Sequence, residues 1–435
     1  LTHIELAEDR STPNSCSASA VSEPTLAPPQ SDSPQSMSPW EPLRLPLFRA
    51  FWIASLASNF GTWIHEIGAG WLMAHLDPSP QMVAAVRTAM AIPIVLLAIP
   101  VGVIGDRFDR RRMLIVTQLL LCCTAATLAT MTFSGVITSW MLLALTAVMG
   151  IGMVIHVPVW QAAVPELVPK VQLTRAVALG SISFNLARAV GPAVGGILIA
   201  AVGTWIAFAL NAFSFAGIVV VLVSWKRQRR ESTRGLSFRM SLYQGLRFVV
   251  NNAVMRNVLV GVVLFILPAN ALWSLLPLVA KAQLGWQAGG FGFLVGCVGF
   301  GALAAAWVLP RFHSQFGADR TIAGAMAAFA FGLAVLSVTT HAVWVGLATI
   351  LMGSAWMITL TTLNATAQMT LPGRMRARGM GCFLTSMAFS MSAGSLLWGR
   401  VAEVTSLHVT QMCAAVVLLF TAAISLKFKI GDQLH

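Results

Sequence analysis

Residues 102–114 read Gly102-Val103-Ile104-Gly105-Asp106-Arg107-Phe108-Asp109-Arg110-Arg111-Arg112-Met113-Leu114, two acids and four arginines set between two long apolar runs. Those runs cover residues 81–104 and 113–134. About 20 apolar residues cross a ~30 Å hydrocarbon core as a helix, so each run is long enough to span a membrane. The charged stretch is then a short turn at a membrane face, between a second span and a third. Gly102 and Gly105 let helices approach closely where the second span ends. Asp106 is placed to accept hydrogen bonds from a neighbouring helix N-terminus or a basic side chain. The arginines also suit a topogenic loop, because basic loops set the orientation of a membrane chain.

Working outward, the composition agrees. Of 435 residues, 57% are hydrophobic and only 10% charged, with a mean hydropathy of +0.77. A soluble domain carries about 25% charged residues, so this chain lacks the polar surface to cover a globule in water and must expose most of its exterior to lipid. A net charge of +13 would suggest nucleic acid for a soluble protein, but here the basic residues cluster in short segments between apolar runs. That is the pattern of orientation-setting loops, and nucleic acid is excluded as a partner. Cys16, Cys122, Cys123, Cys297, Cys382 and Cys413 show no C-x-x-C pairing. They read as small core residues, and no metal site or cofactor is expected. Residues 1–46 hold eight prolines and nine serines without an apolar stretch, so they read as a disordered cytoplasmic tail.

Twelve apolar stretches follow, near residues 50–76, 81–104, 113–134, 137–158, 176–200, 203–225, 257–280, 287–309, 321–340, 342–368, 379–399 and 407–426. With the N-terminus in the cytoplasm, 24 of the 28 Lys and Arg fall on the inner side, only Lys281 and Arg400 lie near outer loops, and Arg87 and Arg188 lie within spans. Both termini are therefore expected in the cytoplasm. The longest connection, residues 226–256, carries Lys226, Arg227, Arg229 and Arg230 and divides the chain into helical bundles at 47–225 and 257–428, with a short tail at 429–435. A shift of 203 residues superposes Pro169 on Pro372, Arg175 on Arg378, Gly191 on Gly394 and Gly196 on Gly399, and a shift of 204 brings Arg107 and Phe108 onto Arg311 and Phe312. The matches fall at corresponding topological positions, as a duplicated six-span unit requires.

A charged turn of this kind between spans 2 and 3 resembles that of the major facilitator superfamily of secondary transporters. The resemblance implies an all-α membrane fold of twelve transmembrane helices in two pseudo-symmetric six-helix bundles. It also implies a conformational latch at Gly102, Asp106, Arg107, Arg110 and Arg111 that ties the halves together on the cytoplasmic side in the outward-open state. Asp109 stands where that family usually has glycine. In span 5, Gly191-Pro192-Ala193-Val194-Gly195-Gly196 resembles the end of the superfamily's antiporter motif. Its glycines thin the helix and its proline frees a carbonyl, giving a bend and a close contact where the halves meet; plain glycine-rich packing is the alternative. The antiporter arginine of span 4 is missing, since residues 137–152 hold no Lys or Arg, although Gly150 and Gly152 remain. Ser58-Asn59-Phe60-Gly61-Thr62-Trp63, Trp71-Leu72-Met73, Ser79-Pro80, Pro165-Glu166-Leu167-Val168-Pro169 and Phe184-Asn185-Leu186-Ala187-Arg188 are similar to the bacterial enterobactin-exporter-like branch, the transmembrane secretion effectors, over about residues 45–428. In that branch glutamine is expected where His65 and Arg87 stand.

Ionisable groups within lipid cost about 2.5 to 3.5 kcal/mol on insertion scales, so each needs a wet or paired environment. Here they are His65, Glu66, Arg87, His156 and Arg188, all in spans 1, 2, 4 and 5, which points to a central cavity lined mostly by the first half. Asn59, Thr62 and Glu66 recur at helical spacing on span 1, and Ser181, Asn185 and Arg188 on span 5, so each set forms one polar stripe facing that cavity. Glu66 sits about ten residues from the outer end of span 1 and Arg87 about six from that of span 2, so the two can meet at similar depth. Glu66 suits a proton carrier or substrate anchor, Arg188 an anion contact, and the Glu66–Arg87 couple a structural ion pair. His156 reads as an interfacial residue.

The reading is a monomeric, multi-pass exporter of the bacterial inner membrane. It would work by alternating access, driven by protons, on a small amphipathic molecule such as a siderophore, antibiotic or metabolite. Uptake symport, facilitated diffusion, and a non-transporting sensor or scaffold are the alternatives. A membrane-embedded enzyme would need a coherent catalytic group, and the sequence shows none.

Overall fold

A computed structural model of the chain describes residues 38, 40–105, 109–225, 247, 250–372 and 376–428. A short 3₁₀ turn, Glu41–Arg44, leads into α1 (Pro46–Leu76), α2 (Pro80–Gly105), α3 (Arg110–Phe133), α4 (Ser139–Leu167), α5 (Leu173–Val202) and α6 (Trp205–Ser224). The second half holds α7 (Ala253–Leu278), which runs on into a wider turn at Val279–Gln283, and a 51-residue helix, Ala288–Val338, broken at Gly317 by a φ of 74°. Its two arms, residues 288–316 and 318–338, are numbered α8 and α9; then come α10 (Ala342–Thr370), α11 (Arg376–Val404) and α12 (Leu407–Ser425). These are twelve spans in two six-helix bundles. Most of the 1–46 tail and of the 226–256 linker, and all of 429–435, lie outside the described residues.

Local chemistry sets several helix starts. Asp109 accepts from the Arg112 N–H at 2.9 Å, Thr138 from Met141 at 3.3 Å, Asn252 from Met255 at 2.9 Å and Ser406 from Val409 at 3.2 Å, each satisfying a backbone donor that the first turn leaves open. Among the described residues ten elements are long and apolar enough to cross a membrane, with α8 and α9 counted as one and α1 outside the set. Asn59, Thr62, His65, Glu66 and His75 lower the hydropathy of α1, which is what a helix facing a polar cavity rather than lipid requires. The cysteines correct one expectation. None of Cys122, Cys123, Cys297, Cys382 and Cys413 is fully buried, and Cys123 and Cys413 are exposed on the outside of the helices, so these two face lipid instead of filling the core.

In the first bundle α1 packs on α5 and α6, α3 on α4 and α6, and α2 on α4; in the second, α7 packs on α10, α11 and α12, and the kinked helix packs on α10 and α12. Between lipid-exposed helices association rests on close packing, because lipid tails are as apolar as the side chains they would replace. Glycine supplies that closeness, and it exposes the internal symmetry. A Cβ on Gly191 of α5 would lie 3.0 Å from Trp63 of α1, and one on Gly394 of α11 would lie 2.7 Å from the Leu267 carbonyl of α7. A Cβ on Gly196 of α5 would lie 2.6 Å from the Ala288 carbonyl of α8, and one on Gly399 of α11 would lie 2.8 Å from Ala84 of α2. Gly191 and Gly394 thus touch equivalent helices within their own bundles, and Gly196 and Gly399 touch equivalent helices of the opposite bundle.

The bundles join on the half of the molecule away from the termini. Trp71 stacks on Phe291 with ring centroids 6.1 Å apart, Lys281 donates to the Ala74 carbonyl at 2.6 Å, and the glycine contacts of Gly196 and Gly399 close α5 on α8 and α11 on α2. Towards the termini the same helices expose Val177 and Phe184 of α5 and Phe312 and Phe316 of α8. The interior is therefore sealed at one end and open at the end that carries the termini.

Candidate functional site

At mid-depth two adjoining cavities, of about 740 and 520 Å³, share Arg87 and Trp273 as their common wall. Thr62, His65 and Glu66 from α1 and Arg87 from α2 line the larger one, together with Met90, Met149, Met153 and Phe291. Arg87 forms an ion pair with Glu66, and its guanidinium lies over the Trp273 ring, 5.4 Å from the centroid. A cation above an indole face is attracted by the ring quadrupole, so one arginine is held by a carboxylate on its own bundle and an aromatic face on the other. The pair keeps contact with solvent in the cavity: the Arg87 side chain is 24% exposed and that of Glu66 33%.

The smaller cavity is a different surface. Arg188 and Trp63 reach it from the first bundle, and Trp356, Met391, Val295 and Val298 close it from the second. Trp356 and Trp273 meet edge to face at 5.5 Å, and Phe265 and Phe329 back Trp356 at 5.3 and 6.3 Å. The larger cavity takes most of its described wall, and both cavities their charges, from the first half, whereas the smaller cavity takes most of its aromatic and apolar wall from the second. Pro192 has no N–H to offer the carbonyl four residues back, which is that of Arg188. That carbonyl lies against α8, where a Cβ on Gly299 would stand 3.0 Å from it.

The remaining candidate residues are placed as follows. Asn59 is turned to α5, donating to Ser183 Oγ at 3.0 Å, and Asn185 donates to the Ser181 carbonyl at 2.8 Å on its own helix; neither lines the two cavities. His65 is buried edge-on to Phe208 at 4.8 Å, and its Nδ1 has no hydrogen-bond partner among the described residues. His156 is bound to Gln118 at 3.0 Å beside Trp160, away from the cavity walls. Gly191 and Gly195 seat α5 on Trp63 and Ile64 of α1, while Gly196 faces Ala288 and Gly292 of α8. Gly150 and Gly152 of α4 serve packing in the same way, against Met90 of α2 and Leu121 of α3.

Of the charged turn, Gly102 and Gly105 end α2, and Asp106 and Arg107 lie outside the described residues. Arg110 pairs with Glu166 of α4 at 3.0 Å, and Arg111 donates to the Leu222 and Val223 carbonyls at the end of α6 at 2.8 and 2.7 Å. In this open state those two arginines tie α3 to its own bundle.

Comparison with known proteins places this geometry. The family model described as transmembrane secretion effector matches residues 37–433. The chain is 24% identical over 292 residues to the staphyloferrin A transporter of Staphylococcus aureus, covering 67% of this chain and 73% of that protein. It is 25% identical over 403 residues to the multidrug efflux pump Tap of Mycobacterium tuberculosis, covering 86% and 91%. A solved bacterial homologue of the human lysosomal transporter Spinster, in an inward-facing and unoccupied conformation, superposes with a TM-score of 0.68 at 12% identity, covering 89% of this chain and 97% of that one.

Proposed function

The chain belongs to the transmembrane secretion effector family of major facilitator transporters, and we propose that it exports a small amphipathic molecule across the bacterial inner membrane, driven by protons, by rocking its two bundles about the mid-depth cavities. The observation that carries this reading is the Glu66–Arg87 pair, set in a cavity that is open at one end and closed at the other. A siderophore transporter and a drug efflux pump among the relatives support export of such molecules. The bundles are assigned to residues 47–225 and 257–428, with the 226–256 linker and both tails in the cytoplasm, and the unit of function to the monomer.

Glu66 carries the coupling proton in this reading. Thr62, His65, Arg87 and Arg188 contact the substrate, and Asn59 and Asn185 contact it in other stages of the cycle. Gly191, Pro192, Gly195 and Gly196 shape the bend and the α5–α8 contact on which the rocking turns. Gly102, Asp106, Arg107, Arg110 and Arg111 act as a latch when the termini end closes, the opposite state to the one described here. The test is accumulation by everted membrane vesicles: a panel of toxic amphiphiles that the deletion strain fails to exclude should be taken up on acidification of the vesicle lumen, and a panel with no such member contradicts export.

Orientation has its own test. Reporter fusions within 226–256 and after His435 should both read cytoplasmic, and a fusion near Asp77 periplasmic, because 24 of 28 basic residues fall on one side. A periplasmic reading in the linker would invert the proposal, since the open end would then face outward.

A further inference from the structure

The smaller cavity has an unbalanced chemistry. Arg87 is neutralised by Glu66, yet Arg188, on the same wall, has as its described partner only the thioether of Met357 at 3.6 Å, a weak acceptor. Among the described residues no carboxylate lines this cavity, and α7, α8 and α10 present Trp273, Val295, Val298 and Trp356 to it. Charges brought into low dielectric are stable only when paired. A guanidinium on a wall shared with the three tryptophans Trp63, Trp273 and Trp356 therefore lacks one thing, an anionic acceptor attached to a flat apolar body.

We propose that the cargo is an organic monoanion, its carboxylate or equivalent oxyanion held by Arg188 and its aromatic or flat apolar part set among Trp63, Trp273 and Trp356. The assignment deepens the export reading and rests on it only for the direction of movement. The Glu66–Arg87 pair keeps a cationic molecule from a clear advantage, because the one carboxylate among the described residues of the cavity walls is already engaged. A substrate bearing a single negative charge brings the three wall charges, two positive and one negative, to neutrality.

The test uses the full chain in lipid nanodiscs and three probes of one shape: 2-naphthoate, 2-naphthalenemethanol and 2-naphthylmethylammonium. The carboxylate should bind at least about tenfold more tightly than the alcohol, and the cation most weakly. Arg188→Gln should bring the carboxylate down to the alcohol's affinity while leaving the alcohol unchanged, which also reports that the variant is folded; Arg188→Lys should keep most of the preference. Equal affinities in the wild type, a preference for the cation, no binding of 2-naphthoate at millimolar concentration, or full anion preference in Arg188→Gln would each overturn the assignment. Anion preference without uptake of 2-naphthoate by everted vesicles would support the assignment and count against export alone. Uptake of the cation with no anion preference would do the reverse.

Discussion

Glu66→Gln is expected to abolish pH-driven efflux, reducing it at least about tenfold, while substrate counterflow at equal pH on both sides stays near the wild-type rate. The reasoning starts from depth. Among the described residues Glu66 is the one acid on the walls of the two cavities, and its carboxylate is bound to Arg87 across an interhelical contact that the cavity solvent reaches. A carrier that releases and regains a proton there changes the charge balance of Arg87, whose second support is the Trp273 face of the opposite bundle at 5.4 Å. Protonation of Glu66 therefore acts on a contact between the bundles, not only on one side chain. The amide keeps the shape and removes the proton cycle, so exchange that needs no net proton movement survives.

A structural pair would behave differently. Each single neutralisation would strand one charge, and because the side chains are a quarter to a third exposed the loss would be about 1–2 kcal/mol rather than the 3–5 of a fully buried pair. Glu66→Gln and Arg87→Gln would then each lower the yield of folded protein, and the double variant would recover it. Full pH-driven efflux by Glu66→Gln rules out the carrier role.

Gly196→Leu is expected to hold the molecule open at the end away from the termini. A Cβ there would stand 2.6 Å from the Ala288 carbonyl and 2.9 Å from the Gly292 Cα, both backbone atoms that cannot turn aside, so α5 and α8 must separate. Gly292→Leu attacks the same seam from the other side, where the Pro192 carbonyl would lie 2.5 Å away. Overpacking of this sort costs about 1–3 kcal/mol, which corresponds to roughly a five- to 150-fold shift between two conformations. In a cysteine-free background, a cysteine at Thr62 should become at least about tenfold more reactive to a membrane-impermeant thiol reagent applied from the periplasm, with flux falling in step. Gly217→Leu, on α6 in open space, is the control and should leave both unchanged. Equal reactivity in Gly196→Leu, Gly292→Leu and Gly217→Leu would mean that this seam does not gate the cavity.

The spans were legible because length and apolarity report the membrane directly, and the charged groups because each is costly in lipid and so must mark a cavity or a pair. Residues 310–320 show the limit. They read as a loop with Arg311 and Arg320, but the helix continues through them and breaks only at Gly317, since apolar length measures the bilayer and not the helix that projects beyond it. The aromatic walls were hidden for a related reason. A tryptophan in an apolar run costs nothing in lipid, and the pattern that places Trp273 and Trp356 in the cavity also places Trp307 and Trp140 outside, 85% and 73% exposed. Trp273 and Trp356 could have been singled out only by knowing which face of α7 and α10 meets the first bundle. Asn59 illustrates the converse, a polar residue in the predicted stripe that serves a helix contact with Ser183.

Rocking about the mid-depth cavities is tested most directly by two spin-label pairs on the same helices, measured by double electron–electron resonance in nanodiscs at pH 8 and pH 5.5. One pair, Val177 of α5 with Phe316 of α8, reports the end that carries the termini; the other, Val202 of α5 with Gln287 before α8, reports the far end, and all four sites are exposed. Acidification should populate a second state in which the first distance shortens and the second lengthens together, and Glu66→Gln should remove the pH dependence. Distances that lengthen or shorten in parallel at both ends, or a far-end distance fixed under conditions where vesicles transport, would contradict alternating access about this site.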